Sequence, residues 1–115
     1  MYKYQIFKGQ NDQYYFRLKA GNGETILSSE GYTTKQSCEA GIASVRVHSP
    51  FDENYVRLTS SNSQYYFNLR AKNWEVIGKS ETYTTSYARD NGIDAVKREG
   101  PFAPVEDLTL SNSYY

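Results

Sequence analysis

The residue types that most often carry out nucleophilic or acid–base chemistry occur as single examples in this chain. His48 is the only histidine and Cys38 is the only cysteine. A nucleophile needs a neighbouring base that a third group holds in place, and a zinc site of the usual kind needs several Cys or His ligands. His48 stands at a predicted helix end before Ser49-Pro50, and Cys38 lies on the apolar side of that helix. We therefore expect both side chains to be structural, with neither a metal nor another cofactor.

Carboxylate pairs, which act as acid and base in glycosidases, are equally hard to isolate. Glu24 and Glu75 occupy equivalent places in the two halves of the chain, as do Glu30 and Glu81. No spacing among them separates an acid from a base, so roles at sheet edges or in capping are the simpler interpretation. A small enzyme or enzyme accessory that uses Glu24, Glu75 or His48 is the alternative.

Tyrosine is the residue type that the composition singles out, because 12 of the 18 aromatic residues are tyrosines. A tyrosine ring packs while its hydroxyl reaches water, which suits a sheet face in partial contact with solvent. Phe16 and its alternate neighbours form the apolar face of one predicted strand, so Tyr15 and Arg17 point away from the core. Tyr66 does the same in the second half. Such residues bind proteins or stack on nucleic-acid bases, and cross-strand pairing is the alternative.

The two predicted turn tips form a second group of candidate contacts. Gly21-Asn22-Gly23 is expected to join two strands, because Asn and Gly tolerate positive φ. The second half has Lys72-Asn73-Trp74 at the same place, which keeps the asparagine and loses both glycines. Asn22, Asn73 and Trp74 are therefore candidate contacts with a partner. For Trp74, packing over its own hairpin is the alternative.

The elements that must position these residues are specified by an internal repeat. A shift of 51 positions aligns Tyr4–Phe51 with Tyr55–Phe102 without a gap, and 21 of the 48 aligned positions are identical. Each copy contains alternating strand patterns, then one amphipathic helix, then a further strand. Two copies are too few for a solenoid, so the repeat favours a closed pseudo-twofold arrangement.

Both predicted helices have clear limits and an unusual glycine. Thr33 or Thr34 can cap the first helix, and the helices are expected to stop before Pro50 and Pro101. Each helix also contains a glycine at an equivalent position, Gly41 and Gly92. A glycine inside a helix costs up to about 1 kcal/mol relative to alanine. We expect it to allow close approach to the sheet or to the other helix.

Length and composition indicate one domain over residues 1–115, made of repeats at about 1–52 and 53–110 and a short C-terminal tail whose sequence echoes Ser61–Tyr66. The 13 basic residues balance the 13 acidic ones, which disfavours nucleic-acid binding because that binding rests on phosphate neutralisation. No apolar run approaches a membrane span or a signal peptide. We expect a cytoplasmic monomer with internal pseudo-twofold symmetry and no membrane contact.

In combination, Arg17–Ile26, Tyr32–Lys35 and Gly41–Arg46 resemble the YegP-like family, and the second copy matches through Tyr66–Ala71 and Gly92-Ile93. The resemblance covers nearly the whole chain. It implies an α+β fold in which two tandem β-β-β-α-β repeats form one antiparallel sheet, with two helices packed on one face and the last strands exchanged between repeats. The family has no assigned biochemical function and no catalytic residues to carry over.

These observations favour a small non-catalytic binding or interaction module of unknown function, and a protein is the first candidate partner. The candidate partner-binding residues are Tyr15, Arg17, Tyr66, Asn22, Asn73 and Trp74. Two alternatives stay open, a small enzyme accessory and a single-stranded nucleic-acid binder that uses the tyrosine-bearing sheet face.

Overall fold

The computed structural model describes residues 1–110, which form seven strands and two helices. The strands are β1 (Lys3–Lys8), β2 (Tyr14–Lys19), β3 (Thr25–Ser28), β4 (Tyr55–Thr59), β5 (Tyr65–Arg70), β6 (Val76–Lys79) and β7 (Val105–Asp107). Helix α1 (Lys35–His48) follows β3, and helix α2 (Ser86–Glu99) follows β6. The C-terminal tail that echoes Ser61–Tyr66 lies outside the described residues.

All seven strands form one sheet in the order β4-β5-β6-β3-β2-β1-β7. At its centre, β3 and β6 run antiparallel and meet through the single pair of Ser28 with Lys79. These two residues are equivalent in the repeat, so a pseudo-twofold axis passes through this seam. The prediction that the two copies are halves of one sheet is confirmed.

The strands that follow the helices are exchanged between the halves, as the resemblance implied. β4 follows α1 but pairs with β5, and β7 follows α2 but pairs with β1. The prediction of an entirely antiparallel sheet is wrong for this last pair, because β7 runs parallel to β1, with Tyr4 opposite Val105. In the repeat, β7 is equivalent to β4, because each strand follows a helix. The pseudo-twofold axis would therefore give β7 the position and direction that β1 has. Since β1 already occupies that place, β7 lies one strand further out and keeps the direction.

Each helix begins and ends where its flanking residues predict. Thr34, not Thr33, is the N-cap of α1, and its side-chain oxygen accepts a hydrogen bond from the Ser37 backbone at 3.0 Å. Thr85 caps α2 in the same way through the Ala88 backbone. Both helices end before their prolines.

The helix glycines allow the close approach that their position predicts. A Cβ on Gly41 would lie 2.5 Å from the Tyr32 hydroxyl and 3.0 Å from the Phe16 ring. Gly92 has the same relation to Tyr83 and Phe67. Because the axis relates these two contacts and the buried hydrophobic side chains form one cluster, both helices lie on the same face of the sheet.

Two buried tyrosines each tie the C-terminal end of one helix to the sheet, Tyr4 from β1 and Tyr55 from β4. The Tyr4 hydroxyl donates to the Gly100 carbonyl at 2.6 Å, and the Tyr55 hydroxyl donates to the Ser49 carbonyl at 2.7 Å. These bonds satisfy carbonyls that a helix end leaves free. Burial raises the pKa of both phenols well above the usual value of 10.0, so the folded protein holds them protonated.

This burial predicts a specific loss of stability in alkali. Above pH 10 the two phenols ionise in the unfolded chain but stay neutral in the folded one, so the free energy of unfolding should fall as pH rises, by about 1.4 kcal/mol per pH unit for each tyrosine. Urea denaturation at pH 9, 10 and 11 measures this slope. Replacing Tyr4 and Tyr55 with phenylalanine should make it shallower, and an unchanged slope would contradict the assignment.

The seam between β3 and β6 is packed by a side chain from one copy only. Leu27 is fully buried, and its counterpart across the axis is Gly78. A Cβ on Gly78 would lie 2.7 Å from the Leu27 side chain. The glycine therefore makes room for a leucine that both halves share.

The covering of β1 by β7 accounts for a further difference between the copies. In the first half, Cys38 is fully buried, and Asp107 at the end of β7 pairs with Lys35 at the start of α1 at 2.8 Å. In the second half β4 is a sheet edge, and Arg89 takes the place of the cysteine. Arg89 pairs there with Asp90 at 3.1 Å. A charged residue is tolerated where no outer strand covers the helix.

Candidate functional site

Within residues 1–110, one face of the sheet carries no helix, and we call it the helix-free face. Along each strand its side chains alternate with buried ones such as Phe16 and Phe67. The residues that point outward are Lys3, Gln5 and Phe7 on β1, Tyr15, Arg17 and Lys19 on β2, Thr25 and Ser28 on β3, Val56 and Leu58 on β4, Tyr66, Asn68 and Arg70 on β5, Val76 and Lys79 on β6, and Glu106 on β7. The candidate residues Tyr15, Arg17 and Tyr66 therefore share this face.

The strand register arranges the centre of this face as a row across the sheet. The row consists of Gln5, Arg17, Ser28, Lys79, Asn68 and Val56, each opposite the next. Tyr15 lies on one side of the row and Tyr66 on the other. Strand spacing and rise put them about 20 Å apart. A line between them crosses the Ser28–Lys79 pair at the pseudo-twofold axis.

In the first half, side chains of this face contact one another closely. The Phe7 and Tyr15 rings stack with centroids 5.6 Å apart, and the Arg17 guanidinium lies 4.3 Å from the Phe7 centroid. Arg17 also donates to the Gln5 side chain at 2.9 Å, and Gln5 donates to Glu106 at 2.9 Å. The two rings and the guanidinium are thus held as one ordered group.

The second half has fewer internal partners. The Lys79 ammonium lies 5.1 Å from the centre of the Tyr66 ring. The Asn68 side-chain oxygen and Arg70 Nε have no hydrogen-bond partner within the described part of the chain. The side chains of the first half are therefore bound to one another, while those of the second half have fewer contacts among themselves.

Charge is distributed unevenly between the two sides of the sheet. Five cations, Lys3, Arg17, Lys19, Arg70 and Lys79, point outward from the strands of the helix-free face. Glu106 is the one outward-pointing acid on these strands in the described region, and it pairs with Lys3 at 2.9 Å. The rest of the chain has 8 basic and 12 acidic residues, and two of these acids, Glu30 and Glu81, lie beside this face. A net charge of zero thus conceals a basic face.

A groove of 480 Å³ opens beside Tyr15, where β3 and β6 separate beyond their single pair. Ser28 and Lys79 line it, and Glu30 and Glu81 are also among its lining residues. One side of the Tyr15 ring is covered by Phe7, and the residue also borders this groove. A flat group can therefore enter next to the ring.

Both turn-tip asparagines have structural tasks. The Asn22 side-chain oxygen accepts the Glu24 backbone N–H at 3.0 Å, and Asn73 does the same for Glu75 at 3.1 Å. These bonds close the turns, so they explain why the asparagine occurs in both copies.

Trp74 differs from the residue it replaces in a way that costs stability. Gly23 has a φ of 87°, and Trp74 has a φ of 71° at the equivalent place. Bulky residues rarely adopt this left-handed conformation, which costs about 1–3 kcal/mol. Trp74 is nevertheless 67% exposed. Its carbonyl accepts a bond from Arg70 at 2.8 Å, and the Arg70 guanidinium lies 5.8 Å from its ring, so the indole stands beside the basic face.

His48 and Cys38 have the structural environments that their positions predict. His48 Nδ1 lies 2.8 Å from the Ser44 carbonyl, and Nε2 accepts the Lys72 backbone N–H at 3.1 Å. Both ring nitrogens are therefore engaged, with the proton on Nδ1. Burial raises the pKa of the Cys38 thiol to about 11, which opposes formation of the reactive thiolate.

The repeated glutamates gather at the two ends of the β3–β6 seam. Burial raises the pKa of Tyr83, and the negative charges of Glu24 and Glu81 raise it further. Glu30 and Glu75 act on the pKa of Tyr32 in the same direction. Each pair joins one glutamate from each copy, an arrangement that only the three-dimensional structure reveals.

Sequence reasoning missed several residues of the helix-free face. Phe7, Arg70 and Lys79 belong to it, and strand alternation in β1, β5 and β6 could have found them. The groove could not be foreseen, because it depends on the single pair that joins β3 to β6.

No helix of the described residues is long and apolar enough to cross a membrane.

The comparisons with known proteins agree with the repeat and the fold. The family model described as a domain of unknown function, DUF1508, matches residues 10–55 and again 60–107. The chain is 50% identical to the UPF0339 protein YegP of Escherichia coli over 92% of this chain and 96% of that protein. Its structure matches the solution NMR structure of YegP from E. coli with a TM-score of 0.89 at 50% identity, covering 96% of each chain. It also matches that of a UPF0339 protein from Shewanella oneidensis with a TM-score of 0.90 at 44% identity, covering 99% of this chain and 97% of the other. The chain belongs to the DUF1508 family, whose domain it contains twice.

Proposed function

We propose that this protein is a non-catalytic binding module that holds an anionic partner on the helix-free face. The unequal distribution of charge is the observation that carries this proposal, since five cations and one acid point outward from the strands, and Glu30 and Glu81 in the groove still leave the cations in excess. Such a face attracts polyanions even where the whole molecule does not. The environments of His48 and Cys38 also support a non-catalytic role. Both ring nitrogens of His48 form hydrogen bonds with backbone atoms, and Cys38 is buried.

Retention on immobilised heparin tests the proposal, because heparin is a polyanion without bases. We expect the protein to be retained at low salt and released as salt rises. The double variant Arg17→Glu plus Lys79→Glu should elute much earlier. The control is Lys8→Glu plus Arg98→Glu, which changes the charge equally away from this face and should elute closer to the unmodified protein. Absence of retention, or equal elution of the two variants, would contradict the proposal.

A further inference from the structure

The helix-free face combines cations with aromatic rings, and this combination narrows the class of partner. We infer that the anionic partner is a single-stranded nucleic acid, an inference that rests on the proposed function. Its phosphates would contact Arg17, Arg70 and Lys79, and its bases would stack on Tyr15, Tyr66 and Trp74. Grooves that bind single strands combine positive charge with aromatic side chains on which bases stack.

The geometry favours a strand that crosses the sheet diagonally. Tyr15 and Tyr66 lie on opposite sides of the central row. Lys79 belongs to this row and lies between them, 5.1 Å from the centre of the Tyr66 ring. The groove beside Tyr15 is 480 Å³ in volume and is open to a planar group. Glu30 and Glu81 line this groove and would repel a phosphate there, but a carboxylate accepts hydrogen bonds from the amino group of a base.

The exposed side chain of Trp74 supports the inference independently, because binding of a polyanion without bases does not explain an aromatic ring at this position. The second copy keeps an exposed indole in a backbone conformation that the first copy satisfies with glycine. Strained residues of this kind concentrate at binding sites, where the contact they provide outweighs their cost. The Arg70 guanidinium fixes the turn through the Trp74 carbonyl, which presents ring and cation together.

A duplex fits this arrangement less well than a single strand. The Tyr15 and Tyr66 rings lie on a sheet face with their partners in neighbouring strands, and they can stack only on bases that are unpaired and turned outward. Direct reading of paired bases instead requires a helix or a two-stranded ribbon that enters the major groove, and the helix-free face belongs to a sheet of seven strands.

The test uses a mixed-sequence 20-nucleotide DNA, its RNA counterpart and the matching DNA duplex. Trp74 is the only tryptophan of the chain, so its fluorescence reports contact at this site directly. We expect quenching by the single strands, an affinity that falls as salt rises, and a weaker effect of the duplex. Quenching by the duplex that equals quenching by the single strands would overturn the inference.

The variants separate stacking from charge, with binding followed by anisotropy of labelled single strands. Tyr15→Ala plus Tyr66→Ala should weaken binding about 5- to 150-fold per ring that stacks and leave heparin retention unchanged. Tyr87→Ala is the control, since Tyr87 is an exposed tyrosine on α2. Trp74→Gly should weaken binding while raising the urea midpoint, because it restores the residue that suits the turn. Unchanged affinity in these variants would overturn the inference.

Failure of the inference can be distinguished from failure of the proposed function. Retention on heparin that depends on Arg17 and Lys79, without any binding of single strands, overturns the inference and leaves the binding module intact. In that case poly-glutamate, as a probe for an acidic protein segment, should compete with heparin. If heparin retention is absent as well, both are contradicted.

Discussion

Replacing Gly78 with leucine should lower the free energy of unfolding by about 3 kcal/mol, and adding Leu27→Gly should restore much of that loss. The first change places a second leucine where one already fills the seam, with a Cβ only 2.7 Å from the Leu27 side chain. Overpacking of a core typically costs about 1–3 kcal/mol or more. In the double variant the leucine enters the same space from the other half.

Urea denaturation of the two single variants and the double variant forms a double-mutant cycle. Leu27→Gly alone should cost at least as much as Gly78→Leu, because it leaves a cavity at the centre of the molecule. The double variant should be more stable than the sum of the two effects by about 2 kcal/mol or more. Additive effects would show that the two positions do not share one space.

Exchanging Cys38 and Arg89 between the copies should have very unequal effects. Cys38→Arg would place a charge where the side chain is fully buried, at a cost of about 3 kcal/mol or more. Asp107 is already paired with Lys35, which leaves Glu39, the equivalent of Asp90, as the acid beside the new charge. Arg89→Cys removes a side chain that is 12% exposed and lies 5.4 Å from the Tyr65 ring centroid, but it buries no charge, so it should cost less, about 1–2 kcal/mol.

Thermal and urea unfolding of the two variants measure this difference, and each is the control for the other because they are equivalent in the repeat. Truncating the chain before Val105 should bring them closer together, since it removes the strand that covers β1. If Cys38→Arg is tolerated as well as Arg89→Cys, β7 does not explain why the copies diverged.

Much of the architecture could be predicted because identical residues at a fixed offset perform identical tasks. Phe16 and Phe67 specify the buried face, Thr34 and Thr85 begin the helices, and Gly41 has the close contact that its position indicates. Alternation then assigns Tyr15, Arg17 and Tyr66 to one face. These features depend on local periodicity or on capping, which a single copy already contains.

The features that escaped prediction depend on contacts between the copies. The parallel direction of β7 follows from competition with β1 for one place in the sheet. The space at Gly78 exists only because Leu27 reaches across the axis. The basic face was hidden by the balance of 13 basic and 13 acidic residues, since a total says nothing about which side of a sheet carries the charges.

The single residue pair at the seam has a consequence for how the chain folds. With one pair between β3 and β6, backbone bonds at the seam contribute little to joining the halves. The pairing of β7 with β1 and the helix ends held by Tyr4 and Tyr55 join them instead. The bond from Tyr4 to Gly100 spans 96 residues, nearly the whole described chain. Such contacts form only after a large loss of chain entropy. Folding should therefore be slow for so small a protein, and neither half should melt without the other.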